Sequence, residues 1–198
     1  MPTINAIIIP GLGGRYPLYE RALWHWHKYK IATTVFYINW EDGEDYESKA
    51  DALSKLIDHL SRSSTPLILI GVSAGASAAL NAYVTHKQVN AVVTVCGFTN
   101  IEYLDQKQMN QRSPAFVQSV QILSSTLTKL TSEDKKHILS MTAYGDRTVN
   151  DNASYLPGVT SRKILAIGHI IGIASALLFY GRFIRKWFDE LAKEDVSY

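Results

Sequence analysis

The sequence is poor in cysteine, in net charge and in long apolar runs, and each shortage removes a class of protein. Among 198 residues there is one cysteine, Cys96. One thiol excludes an intrachain disulfide framework and a multi-cysteine metal site. Its place in the apolar run Val92 to Cys96 fits a buried structural thiol. The net charge is only +2 and no block of Lys and Arg stands out, so no nucleic-acid partner is expected. The histidines and carboxylates lack ligand spacing, and His-Glu-x-x-His is absent. The acidic run Glu41-Asp42-Gly43-Glu44-Asp45 lacks the calcium-loop pattern and its closing Glu. No metal is therefore expected. Met1 to Asn5 carries no positive charge before the short apolar run Ala6 to Ile9, so neither a signal peptide nor an extracellular location is expected; the expectation is cytoplasmic. Ile164 to Gly181 approaches the length of a membrane span, but Gly168-His169 falls inside it and Gly172 and Ser175 interrupt it further. It reads as a strand, a loop and a core-facing helix, with no membrane span.

What is present is a globular composition, 46% hydrophobic and 19% charged. The length suits one domain over residues 1–198. Strand-like and helix-like segments alternate. Ile4 to Pro10, Thr33 to Trp40, Pro66 to Ile70, Val89 to Cys96, Ile138 to Tyr144 and Arg162 to Ile167 read as strands. Tyr16 to Lys30, Glu47 to Ser61, Ala74 to Val84, Pro114 to Leu130 and Ile171 to Leu191 read as helices, the second and fourth from their apolar stripes. Repeated βα units imply an α/β fold, a mostly parallel sheet with helices on both faces. In such sheets ligands bind at the carboxyl ends of the strands.

Three strand ends carry chemistry. The first is Gly71-Val72-Ser73-Ala74-Gly75, set between a buried strand and a helix of small residues. A sharp strand-to-helix turn would project the Ser73 hydroxyl out of the sheet, and glycines two residues to either side remove side chains that would collide there. The helix also aims N–H groups and partial positive charge at the turn. The pentapeptide alone is weak, because an idle serine in a tight packing turn gives the same letters. The second is Ile9-Pro10-Gly11-Leu12-Gly13-Gly14. A dinucleotide site would want a third glycine where Tyr16 stands, and a nucleotide P-loop would need Lys followed by Ser or Thr. The third is Ile167-Gly168-His169. A serine nucleophile needs a base that titrates near neutrality, and among six histidines only His169 follows a buried strand and precedes a helix.

With these residues in view, the chain resembles an α/β-hydrolase of the small kind with a minimal cap, and the resemblance spans nearly its whole length. The resemblance implies that Ser73 is the nucleophile and His169 the base, and that the backbone N–H groups of Leu12 and Ala74 form an oxyanion hole. Pro10 stands where the family often has His. Asp146, in Asp146-Arg147-Thr148-Val149, fits the family's place for the acid and completes the order Ser, Asp, His. Asp151 is its rival. Tyr16 and Trp40 are candidate substrate-binding residues, though Trp40 could equally be packing. Residues 98–137 occupy the place where the family inserts a lid, or simply pack on the core. The implied activity is cleavage of a carboxylic ester, with no cofactor and a small acyl compound as partner. Thioesterase, acyltransferase and peptidase activities share the same triad. A catalytically silent binding protein on the same fold is the rival of another class.

Overall fold

The apolar runs do assemble into a parallel sheet. The computed structural model describes residues 3–14 and 16–194. Six strands, β1 (Ile4–Ile9), β2 (Ile31–Val35), β3 (Leu67–Val72), β4 (Val89–Val95), β5 (Ile138–Tyr144) and β6 (Thr160–Ile167), lie in the order β2-β1-β3-β4-β5-β6. Every neighbouring pair is parallel. All six residues of β3 are buried, as a central strand covered on both faces requires.

The helices that connect the strands divide between the two faces. α2 (Tyr46–Leu60), α3 (Gly75–Thr85) and α5 (Pro114–Thr126) bury Leu53, Ile57, Leu80, Phe116 and Leu123 with Ile7, Leu69 and Val92 on one face. α1 (Tyr16–Leu23), α7 (His169–Phe179) and α8 (Gly181–Glu194) cover the other with Leu23, Leu177, Ile184 and Phe188, over Ile8, Ile70 and Val93. From β1 the chain crosses outward to β2, whereas from β3 onward it crosses the opposite way. The strand order therefore reverses between β1 and β3. That crevice is where an open parallel sheet presents its ligand site.

Several boundaries differ from expectation, each for a local reason. The helix expected over Tyr16 to Lys30 is α1 followed by a 3-10 turn, Trp24–Tyr29, closed by Lys30 in the left-handed region. β2 begins at Ile31 and ends at Val35, not Trp40. Beyond Val35 the chain leaves the sheet, and Trp40 is held by its indole N–H, which donates to the Pro10 carbonyl at 2.9 Å. The single helix expected over Ile171 to Leu191 is broken at Tyr180. Gly181 then opens α8 against the Trp26 ring, where an added Cβ would stand 3.0 Å from ring atoms. Residues 98–137 contain α4 (Gln106–Arg112), α5 and α6 (Ser132–Lys136). α5 is rooted in the core, whereas α4 has no buried residue. Ser113 caps α5 ahead of Pro114, and its hydroxyl donates to the Trp40 carbonyl at 2.6 Å.

Candidate active site

Ser73 follows β3 in a backbone conformation that L-residues rarely adopt, with φ of +52°. Such strain costs roughly 1–3 kcal/mol and persists only when the surroundings fix it. Here three backbone hydrogen bonds do so. The Ser73 N–H donates to Val95 at 2.9 Å, and its carbonyl accepts from Ala76 and Phe98, both at 3.1 Å. The flanking glycines are required by contact. A Cβ on Gly75 would lie 2.0 Å from the Ile9 carbonyl oxygen, and one on Gly71 would lie 2.5 Å from Ala76 Cα. The turn is thus wedged between β1 and its own helix.

The turn after β1 meets it directly. A Cβ on Gly11 would fall 2.7 Å from Ser73 Cβ, so Gly11 allows the two loops to touch. Leu12 and Ala74, one from each loop, flank this contact. Among the described residues neither of their N–H groups has a protein acceptor. Tyr19, from α1, packs beside the β1 turn at Gly14, and burial pushes its pKa up to about 12.

His169 is the first residue of α7, launched by Gly168 at φ of +83°. Its Nε2 lies 3.0 Å from Ser73 Oγ, and its Nδ1 lies 2.7 Å from Asp146 Oδ2. Asp146 sits just past β5, and its other oxygen, Oδ1, accepts the Thr148 and Val149 N–H groups at 2.9 and 2.8 Å. The carboxylate is therefore held in one orientation, with Oδ2 turned to the imidazole. Asp151 is elsewhere, in an exposed ion pair with Lys163. Trp40 and Tyr16 do not simply line an open pocket. Trp40 is 2% exposed, with its ring edge-on to Phe116. The Tyr16 hydroxyl donates to the Ile38 carbonyl, and its ring lies against Tyr37.

No sequence-family model matches the chain, and no curated protein sequence does so. Solved structures do. The monoacylglycerol lipase of Paleococcus ferrophilus superposes with a TM-score of 0.71 at 11% identity, over 96% of each chain. The esterase domain of a Rhodothermus marinus protein gives 0.64 at 16% identity, over 94% of this chain and 86% of that one. A bromoperoxidase from Bacillus anthracis gives 0.64 at 12% identity, over 95% and 92%. The chain has the α/β-hydrolase fold. Within that fold, Ser73, Asp146 and His169 stand at the carboxyl ends of β3, β5 and β6, and Leu12 stands beyond β1.

One neighbour of the α/β-hydrolase site escaped sequence reasoning. Cys96, at φ of +46° just after β4, lies buried against Asp146. Burial, and then the Asp146 charge, push its thiol pKa up to about 12. Cys96, Asp146 and His169 bring ligand atoms within 4.8 Å of one another. That trio suits hydrogen bonding better than a metal. Both Asp146 oxygens are already engaged, and His169 spans Asp146 and Ser73. An apolar run ending in cysteine carries no signal of such a contact, because only the β4–β5 register creates it.

Proposed function

We propose that the protein is a serine hydrolase that cleaves carboxylic esters through Ser73, His169 and Asp146. One observation carries this reading: the continuous chain from Asp146 Oδ2 to His169 Nδ1 and from His169 Nε2 to Ser73 Oγ, with contacts of 2.7 and 3.0 Å. In this reading His169 takes the Ser73 proton as Oγ attacks the ester carbonyl. Asp146 fixes the tautomer that leaves Nε2 free to accept, and stabilises the imidazolium that forms. The Leu12 and Ala74 N–H groups receive the oxyanion, a contribution of about 3–4 kcal/mol per donor in enzymes of this type. Imidazolium returns its proton to the departing alcohol, leaving an acyl-Ser73 ester. Water then attacks that ester by the same steps, releasing the acid and restoring Ser73. No cofactor enters this scheme. The lipase and esterase neighbours agree with ester chemistry in this fold. The buried Trp40 acts here through the β1 turn, which it anchors at Pro10.

A fluorophosphonate probe tests the reading. Labelling of wild type at Ser73, absent in Ser73→Ala and strongly slowed in His169→Ala, supports the hydrolase. Folded protein that takes up no label refutes it in favour of a binding protein. Ester, thioester and amide substrates then separate the activities that share the triad.

A further inference from the structure

Among the described residues, the outer face of α7 has no partner. A helix that is apolar on every side is normally covered on every side. α7 reads His-Ile-Ile-Gly-Ile-Ala-Ser-Ala-Leu-Leu-Phe, yet only Gly172, Ala176 and Leu177 are buried. Ile170 and Phe179 are about three-quarters exposed, and Ile171 is nearly as open. Leu165 and Ile167, on edge strand β6, are equally bare. Of thirteen exposed large hydrophobic residues among those described, six lie between Leu165 and Phe179. The Leu165 N–H donates to the Tyr180 hydroxyl at 2.9 Å, which ties the end of α7 to the open edge of β6. The α7 residues therefore present an apolar surface that begins beside His169, while Ile164 and Ala166 of β6 pack beneath the helix and Leu165 and Ile167 are bared on the other side of the same sheet edge. Exposed apolar surface on this scale marks an interaction site.

The charge around it is mainly positive. Residues 152–188 contain five Lys or Arg and no Asp or Glu. Arg182 follows Phe179 at the α7–α8 corner and lines a groove of about 570 Å3. Lys28, Lys30, Lys186 and Lys193 also line this groove, with Glu190, while Arg185 there is buried and its charge is met by two hydrogen bonds to Asp189. Beside it Trp24 is exposed, with the Lys28 ammonium 5.2 Å from its ring centroid. The Lys186–Glu190 and Lys163–Asp151 pairs are exposed and of little strength.

We propose that this surface docks on an anionic phospholipid bilayer. The α7 face enters the headgroup–acyl boundary and the basic groove meets the phosphates. Apolar area and basic charge side by side are what a peripheral membrane surface combines. A second copy fits less well, because it would bring an identical apolar and mainly basic face and would supply few acidic groups to the basic groove. No helix among the described residues is long and apolar enough to cross a membrane, so the contact is one of lying on the surface. On the hydrolase reading, the bilayer also supplies the substrate, an acyl ester of a lipid presented beside His169. The docking itself does not depend on that reading.

Vesicle co-sedimentation tests it, using full-length protein and a Ser73→Ala variant. Both should bind mixed phosphatidylglycerol–phosphatidylcholine vesicles, bind phosphatidylcholine vesicles weakly, and be released by salt. The double substitution Ile171→Glu with Phe179→Glu should lower vesicle affinity at least about tenfold. It should leave hydrolysis of a soluble short-chain ester unchanged. Absence of binding, equal binding to both vesicle types, or binding that survives the double substitution overturns the proposal. A sedimentation-velocity dimer abolished by the double substitution also overturns it, and assigns the face to a second copy. Vesicle binding by Ser73→Ala in a protein without esterase activity would sink the hydrolase reading alone.

Discussion

Replacing Asp146 by Asn separates the catalytic argument from a merely structural one. The Asp146 carboxylate makes two kinds of contact. Oδ1 accepts two backbone N–H groups, and Oδ2 faces His169 Nδ1. An amide keeps only one acceptor oxygen, and two N–H donors already claim it. The Asn side chain should therefore settle with its oxygen toward Thr148 and Val149 and its NH2 toward the imidazole. An NH2 facing Nδ1 selects the tautomer protonated on Nε2, which points its hydrogen at Ser73 Oγ and can no longer accept the serine proton. The same change in a triad protease costs about 10^4 in kcat, equivalent to about 5 kcal/mol of barrier. Because the backbone contacts survive, the folded state should lose little stability, on the order of 1 kcal/mol. The assay is steady-state hydrolysis of a chromogenic short-chain ester, with thermal melts of the same preparations. Asp151→Asn is the control and should leave kcat within about twofold, since that side chain is an exposed ion-pair partner. Asp146→Asn with activity within about tenfold of wild type would refute the reasoning. An equal loss in Asp151→Asn would show that the acid had been misassigned.

Four further outcomes follow from particular contacts. Gly75→Ala places a methyl 2.0 Å from the Ile9 carbonyl oxygen, a backbone atom that cannot step aside. It should cost at least about 3 kcal/mol or prevent folding, whereas Gly13→Ala meets no atom within 4 Å and should cost only about 1–2 kcal/mol, from its positive φ; chemical denaturation compares them. Trp40→Phe puts a smaller ring in this buried place and leaves the buried Pro10 carbonyl without its donor. About 1–3 kcal/mol of stability should go. With the β1 turn loosened, kcat should fall more than KM rises. Alkali should weaken the fold through Cys96, Tyr19 and Tyr46. Burial raises their pKa values from 9.0, 10.0 and 10.0 to about 12 each, so the native state keeps protons that the unfolded chain has lost. Their contribution is whole below about pH 9 and declines as pH rises toward 12, seen as a falling denaturation midpoint, less steep in Cys96→Ala. A disulfide reagent should leave the native thiol unmodified and react only on unfolding; fast labelling of folded protein would contradict the buried, neutral Cys96.

How much of this was legible in the sequence depended on whether the information was local. Gly71 and Gly75 could be read because a serine turn between a strand and a helix has one steric solution, and both glycines serve it. His169 could be read because a histidine directly after a strand of a parallel sheet lies at its carboxyl edge, although β6 is an exposed edge strand and not the buried strand expected from its apolar residues. Asp146 and Asp151 could not be separated that way. They share one loop, and only the fold of that loop sends the first to His169 and the second to Lys163. Trp40 showed the same limit. An aromatic residue near a strand end can line a site or support it, and only the fold brings the Trp40 indole to the Pro10 carbonyl, thirty residues away.

The edge of the sheet explains the largest misreading, the core-facing helix expected after His169. Apolar residues around a helix announce that something covers it, but not what. Coverage is set by strand order, and the order β2-β1-β3-β4-β5-β6 leaves β6 with a neighbour on one side only. α7 packs under that last strand, so its inner side meets Ala143 and Cys96 at Gly172 while Ile170, Ile171 and Phe179 extend past the sheet. The same placement gives His169 access to Ser73, because β6 must end beside β5 for the imidazole to reach between Asp146 and the serine. A histidine supplied by an edge strand and a bare apolar helix behind it are thus two consequences of one topology. Placing further protein over α7 would shelter the helix, but it would also crowd the approach to the His169 imidazole. An apolar interface that forms and dissolves, as a bilayer surface does, relieves the exposure without closing that approach.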